Sequence, residues 1–418
     1  MVDNILKNEA YLCYKFLIDH TNFEKNHPGC GLTIDRMSKN NMASVASSGF
    51  MLSALVIGVE RGYDSYETNL VRAINTLANF ANNIPEYLGM FAHFVDPTTG
   101  KHYKKCEYST IDTVLFINGM LTVDSYFDDE QIHNYAKKIF ERIEWNKFIF
   151  DNNGNLQFRM AYNDKEGGDY LGNNQVGWIY QWSMLAEQLS MYILAAGSDD
   201  VSEKDAIELF LGFERYNGGY KGTNYIYSPL GSLFVYQYSH AWFDFDKYYD
   251  LKGFDWFENS RQACIASKKY CDDLKNEYPT FQYAWGLSAC DGPNGYHGYG
   301  NPPFGWAKDH KSDYLIKRTD GTIAIYALVS SLPFLPNEVK STISKLVEKY
   351  PEINGQYGFY DSINLSDNLW IGKDYLGIDK GITLLMIDNY YYQTTWNYYM
   401  KHNIIKAGIK KLGFIRKG

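Results

Sequence analysis

The chain has 418 residues, of which 45% are hydrophobic and 21% charged, and its formal net charge is −9. That balance fits an ordinary globular protein with a large core. No Lys/Arg block is long enough to follow a phosphate backbone or an anionic bilayer, which argues against nucleic-acid and membrane partners and for a neutral or cationic ligand.

In chain order, the N-terminus (Met1-Val2-Asp3-Asn4-Ile5) has no basic segment leading into an apolar run. A cytoplasmic protein is therefore expected, although an exported mature form restarted at Met would begin the same way. Leu6, Ala10, Cys13, Tyr14 and Leu17 form a helical stripe, as do Leu70, Ile74, Leu77 and Ala81. Further stripes run through Ile132, Tyr135, Ala136, Ile139, Phe140 and Ile143, and through Val339, Ile343, Leu346, Val347 and Tyr350. These segments predict one-sided helices with a wet face. Residues 44–60, 111–124, 178–196, 322–332 and 379–400 are instead apolar or small nearly all round, which predicts helices buried on every side. The two kinds tend to alternate. That alternation predicts a double ring of about twelve helices, an all-α (α/α)6 toroid in one domain over residues 1–418. Leu156–Met160 and Leu233–Tyr238 read as short strands over the mouth. The six cysteines show no CxxC and no disulfide spacing, so reduced thiols are expected, with Cys264 and Cys271 on one helix face.

Acids in aromatic, Gly-rich settings carry the chemistry. They lie in Cys106-Glu107-Tyr108-Ser109-Thr110-Ile111-Asp112-Thr113, Trp285-Gly286-Leu287-Ser288-Ala289-Cys290-Asp291, Asp320-Gly321, Gly358-Phe359-Tyr360-Asp361 and Gly377-Ile378-Asp379. Carboxylates act as acid, base or nucleophile on acetals, and flat rings stack on sugar faces. With 37 Tyr and 9 Trp, the chain reads as a carbohydrate-active cleft. Asp112 also fits a capping box with Ser109. Glu187, within the apolar run 178–196, should have its pKa raised by burial, as a general acid requires. It could equally pair with a cation. Asp320 and Asp379 both precede predicted helices and could be N-caps, while Asp291 heads a turn sequence. The run Gln237-Tyr238-Ser239-His240-Ala241-Trp242 mixes hydrogen-bonding and stacking groups. Asp367, Asp374 and Asp379 do not have EF-hand spacing, and no metal site or cofactor is expected.

Segments along the chain resemble the glucoamylase-like (α/α)6 family, which includes bacterial endo-β-1,2-glucanases and a domain of cyclic β-1,2-glucan synthases. They include Gly31-Leu32-Thr33-Ile34-Asp35-Arg36, Ser47-Ser48-Gly49-Phe50, Gly58-Val59-Glu60-Arg61-Gly62, His93-Phe94-Val95-Asp96-Pro97, Ser109-Thr110-Ile111-Asp112-Thr113, Trp285 to Asp291 and Gly377-Ile378-Asp379-Lys380-Gly381. The resemblance implies a glycoside hydrolase on a neutral glucan, most closely β-1,2-glucan. By position, Asp112 and Glu187 match the family's candidate catalytic acids; expected burial then assigns Glu187 as general acid, and the helix N-terminus assigns Asp112, assisted by Glu107, as base. Phe50, Arg61, Gln237, His240, Trp242, Trp285, Asp291, Tyr296, Asp320 and Asp379 are the expected substrate-binding residues. The chain departs from the family pattern at Ala186, Ile325 and Asp388-Asn389-Tyr390. An epimerase or lyase on the same toroid, or a sugar-binding protein without catalysis, is the competing expectation. A monomer is expected.

Overall fold

A computed structural model describes residues 2–184, 187–302, 313–366 and 368–418. Its helices alternate between an outer and an inner ring. Outer α1 (Val2–Asp19) precedes inner α2 (Val45–Glu60) and outer α3 (Tyr66–Asn82). Inner α4 (Thr110–Tyr126) and outer α5 (Glu130–Glu141) follow, then inner α6 (Leu189–Gly197) and outer α7 (Glu203–Gly212). Two 3-10 turns, Leu233–Tyr236 and Tyr238–Ala241, fill the fourth inner slot and lead to outer α8 (Trp256–Leu274). After the short α9 (Asp313–Arg318) come inner α10 (Ile325–Ser330), outer α11 (Pro336–Lys349) and inner α12 (Gly377–Tyr391). The ring closes where α1 packs on α2, α11 and α12, and α13 (Thr394–Tyr399) and α14 (Asn403–Lys411) cover α4 and α6. This is the (α/α)6 toroid.

Side-chain size and caps explain the ring. Nearly every residue of α2 and α4 is buried. Their backbones touch because Gly49 and Gly119 face each other: a Cβ on Gly119 would stand 1.9 Å from the Gly49 carbonyl oxygen. Ser44, Ser65, Ser109, Asp129, Ser202 and Asp255 cap α2, α3, α4, α5, α7 and α8 through backbone N–H groups of the first turn. Cys264 and Cys271 are both buried on α8, and all six cysteines are free thiols. No helix among the described residues is long and apolar enough to cross a membrane.

Two sequence expectations fail. The run 178–196 is not one helix: Gly177–Gln181 is a strand paired with Asn155–Asn163, and α6 starts only at Leu189. The Leu233–Tyr238 segment is not a strand: it winds into 3-10 turns, with Gln237 N–H donating to Phe234 O at 3.0 Å. The expected strand at Leu156–Met160 does form, inside Asn155–Asn163.

The segments that lead into the inner helices join in small antiparallel sheets at one rim. Ser44 pairs with Phe94, Tyr108 with Tyr162, Ala324 with Ser362, and Arg36 with Leu376. The N-termini of α2, α4, α10 and α12 therefore open onto one mouth, where their unpaired N–H groups create a field that suits carboxylates.

Candidate active site

Strand Tyr108–Ser109 ends in the Ser109 cap, which puts Asp112 in the first turn of α4 and Glu107 just ahead of it. His93 joins the two acids. Its backbone N–H donates to Glu107 O at 2.9 Å, and its ring nitrogens lie 2.8 Å from Glu107 Oε1 and 3.5 Å from Asp112 Oδ1. Burial alone would lower the imidazole pKa, but the Asp112 and Glu107 carboxylates outweigh it and raise it to about 9. His93 is thus an imidazolium at neutral pH, with a donor for each acid. Burial raises Asp112, opposed by His93 and by the hydroxyl of Ser109, which donates to Asp112 Oδ2 at 2.5 Å. For Glu107 the His93 hydrogen bond and charge overcome burial, and its pKa is lowered. The capping expectation holds for the Asp112 N–H, which donates to Ser109 Oγ at 3.3 Å. The Asp112 carboxylate does more than cap, since its second oxygen faces His93.

Glu187 sits just before α6 rather than inside it. It is buried, its Oε2 has no hydrogen-bond partner among the described residues, and burial raises its pKa to about 8. Asp112 and His93 lie within electrostatic reach of it. Among the described residues, Glu187 pairs with no Lys or Arg, the alternative left open from sequence. Ala186 lies outside the described residues.

A second set of acids stands beside the first. Asp361 and Asp379 are buried within electrostatic reach of each other, and burial pushes both carboxyls upward. Asp361 Oδ2 accepts the Asp291 N–H at 2.7 Å, while Asp361 Oδ1 and Asp379 Oδ2 have no hydrogen-bond partner among the described residues. Arg36 reaches Asp291 at 3.2 Å and Asp374 at 3.5 Å. Asp35 lies within reach of His93, Asp112 and Asp374, and the Tyr238 hydroxyl feels Asp379, Glu187 and Asp112. The two sets therefore share one cleft. Asp379 occupies the third position of α12 and makes no cap.

Several expected binding residues are structural. Trp242 is fully buried, donates to Ser53 Oγ at 2.7 Å and packs 4.7 Å from Phe50, which is itself buried. Trp285 is buried and donates to Thr342 of α11 at 3.2 Å. Gln237 ties the inner ring together by donating to Ala327 O and Ser331 Oγ. His240 is buried among Phe245, Phe257 and Phe334, bonds Ser260 at 2.8 Å, and has its pKa lowered to about 3 by burial. Arg61 lies at the far end of α2, 3.7 Å from Asp388. Asp320 spends both oxygens on its turn, taking the Thr322 N–H and the Tyr299 hydroxyl, and caps no helix. In each case a neighbour distant in sequence claims the group. Asp291, Asp379 and the half-exposed ring of Tyr296, over which Arg36 lies at 5.5 Å, remain at the mouth. Asp374 serves Arg36 and Ser38, and Asp367 lies outside the described residues.

Asp35, Arg36 and His93 were not singled out from sequence, and Asp361 was noted there among the acids without a role at the site. All but Asp361 lie in the segments that carry the resemblance, and Asp361 ends one of the aromatic signatures. That was the available signal.

Comparison with known proteins adds the lineage. A curated relative, an exo β-1,2-glucooligosaccharide sophorohydrolase (non-reducing end) of Parabacteroides distasonis, is 25% identical over 96% of this chain. The chain spans 58% of that relative's length. The solved endo-β-1,2-glucanase of Chitinophaga pinensis superposes with a TM-score of 0.81 at 23% identity, covering 99% of both chains. A β-1,2-glucanase structure from Parabacteroides distasonis gives a TM-score of 0.83 at 22% identity, covering 99% of this chain and 60% of its own. These likenesses establish the shared fold. The family model "Glycoamylase: Putative glucoamylase" matches residues 179–403, more than half of the 418, and the chain belongs to that glucoamylase-like family.

Proposed function

We propose that the protein is a glycoside hydrolase that cleaves β-1,2-linked glucan, using its own carboxylates as acid and base. Glu187 carries the reading: a buried carboxyl at about 8, with an unpartnered oxygen, in reach of Asp112 and His93. Such a group holds its proton at neutral pH and can give it to a glycosidic oxygen. Asp112 is the matching base. The His93 imidazolium, the Ser109 hydroxyl and the start of α4 favour its charged form against burial. Asp112 takes a proton from water as the water oxygen attacks the anomeric carbon. The bond from that carbon to the leaving oxygen breaks, Glu187 protonates the leaving oxygen, and the configuration inverts. The β-1,2 linkage rests on the relatives' activities. The reading treats the chain as one catalytic unit that acts as a monomer without a cofactor.

One observation favours a second source of the base. Asp379 is buried beside Asp361 with an oxygen unpartnered among the described residues, and Tyr238 lies in the field of both Asp379 and Glu187. An epimerase or lyase is less well supported, because it needs a His or Tyr that exchanges a proton near neutral pH. Carboxylates hold His93 on both sides, and burial pushes Tyr238, Tyr296 and Tyr326 well above ordinary phenol values and Tyr170 up to about 12. The test is reducing-end release across β-1,2-, β-1,3-, β-1,4- and α-1,4-glucans with product chromatography. Cleavage of β-1,2-glucan above the others supports the reading, and preference for another linkage or no cleavage contradicts it.

A further inference from the structure

Most large rings in this protein are buried, and three exposed ones lie together beside the acids. Tyr170 is 66% exposed, Trp178 37% and Tyr180 62%. Trp178 and Tyr180 flank the buried Ile179 on the strand Gly177–Gln181, and both are exposed. Trp178 is supported on several sides. Its ring meets Phe148 edge-on at 5.2 Å, Tyr162 at 5.0 Å and Tyr87 at 6.4 Å. Tyr87 and Tyr162 are themselves stacked at 4.1 Å with their planes 7° apart. The indole is thus fixed by other rings while keeping part of its surface open. Trp178 pairs with Tyr162, and Tyr162 with Tyr108, the residue between Glu107 and the Ser109 cap. Tyr170 lies within electrostatic reach of Glu107, Asp112 and Tyr180. The exposed strip therefore adjoins the candidate acids.

We infer that Tyr170, Tyr180 and Trp178 form a chain-binding surface continuous with the cleft, which holds sugar units of a glucan beyond those at the acids. The inference rests on the proposed hydrolase reading. Three features favour a neutral polysaccharide as the occupant. The surface continues the acid cleft, the rings are open on one side, and the adjoining exposed loop carries the uncharged amides Asn173, Asn174 and Gln175. Rings fixed in advance lose little freedom on binding, and each can contribute to the affinity of a stacked sugar.

The test uses the full chain carrying Trp178→Ala with Tyr180→Ala, substitutions at exposed positions, with folding checked by thermal melting. Rates are measured on long β-1,2-glucan and on the shortest oligosaccharide the wild type cleaves. The expected result is a fall in kcat/KM of about tenfold or more on the long chain, with a change within about twofold on the short one. Trp178→Phe, which keeps a ring, should restore most of the long-chain rate. Equal effects on both substrates, or none, overturn the inference. Calorimetry of β-1,2-glucan binding to the Glu187→Gln protein, with and without Trp178→Ala, reads the surface without turnover. If the wild type cleaves no glucan, the hydrolase reading fails, and this binding comparison still decides the surface: unchanged long-chain affinity overturns it. Sedimentation showing a wild-type dimer that the double variant breaks would make the strip a self-association face and also overturn it.

Discussion

The His93 ring presents one nitrogen to Glu107 at 2.8 Å and the other to Asp112 at 3.5 Å, so a single imidazolium joins the acid before α4 to the acid in its first turn. Its pKa is raised from 6.5 to about 9, because the two carboxylates outweigh the burial that alone would lower it. The stabilisation is therefore complete below pH 6.5 and lost as pH rises through about 9. His93→Gln should cost up to about 3 kcal/mol at pH 6 and almost nothing at pH 10. Thermal melts of both proteins across that range check this. A difference that stays constant with pH would place the effect in packing instead.

Glu187 has the same sign and the opposite consequence for a variant. Its carboxyl is raised from 4.5 to about 8 by burial, so ionisation in the unfolded chain favours unfolding at neutral pH. Glu187→Gln should raise stability at pH 7 by up to about 3 kcal/mol, with the gain vanishing below pH 4.5. Such a gain at the expense of activity is common for residues held in a strained site. A melting temperature lowered at pH 7 would mean that the carboxyl has a stabilising partner.

Asp112, Ser109 and Asp379 separate capping from catalysis. Ser109→Ala should cost about 1 kcal/mol through the lost cap. Asp112→Asn should lower kcat about a hundredfold or more in the folded protein, beyond any loss of the His93 stabilisation it shares. If Asp379→Asn instead abolishes the acidic limb of the pH–rate profile while Asp112→Asn leaves it in place, the base belongs to the Asp361–Asp379 pair. An Asp112→Asn protein that turns over at the normal rate removes Asp112 from the chemistry.

Trp285 illustrates what the sequence could not decide. From sequence it is an indole near candidate acids, but in the fold it is buried and donates to Thr342. Trp285→Ala should cost roughly 3–5 kcal/mol of stability and leave KM of the folded protein nearly unchanged. A marked rise in KM at unchanged stability would return it to the cleft.

The helical stripes, the Ser and Asp caps and the alternation of buried and one-sided helices were legible because each is written within one or two turns of chain. Glu187 was found for the right physical reason, burial, but in the wrong element: Trp178 to Gln181 is apolar enough to continue a helix and becomes a strand only by pairing with Asn155–Asn163. The Asp361–Asp379 pair and the Glu107–His93–Asp112 chain join residues from separate segments, so no local spacing marks them. Sugar stacking was expected of Trp242, Trp285 and Tyr296; of these only Tyr296 keeps an open ring, and Tyr170, Trp178 and Tyr180 are open as well. Burial of an indole depends on partners such as Ser53, 189 positions away from Trp242.

The most direct measurement is the pH dependence of kcat/KM on linear β-1,2-glucan for the wild type and Glu187→Gln, from about pH 5 to pH 10. The wild type should fall off on the basic side near pH 8, where Glu187 loses its proton, and the variant should retain about one hundredth of the activity or less without that limb. A variant that cleaves at the wild-type rate with the same basic limb would contradict Glu187 as the acid, and with it the account of this cleft.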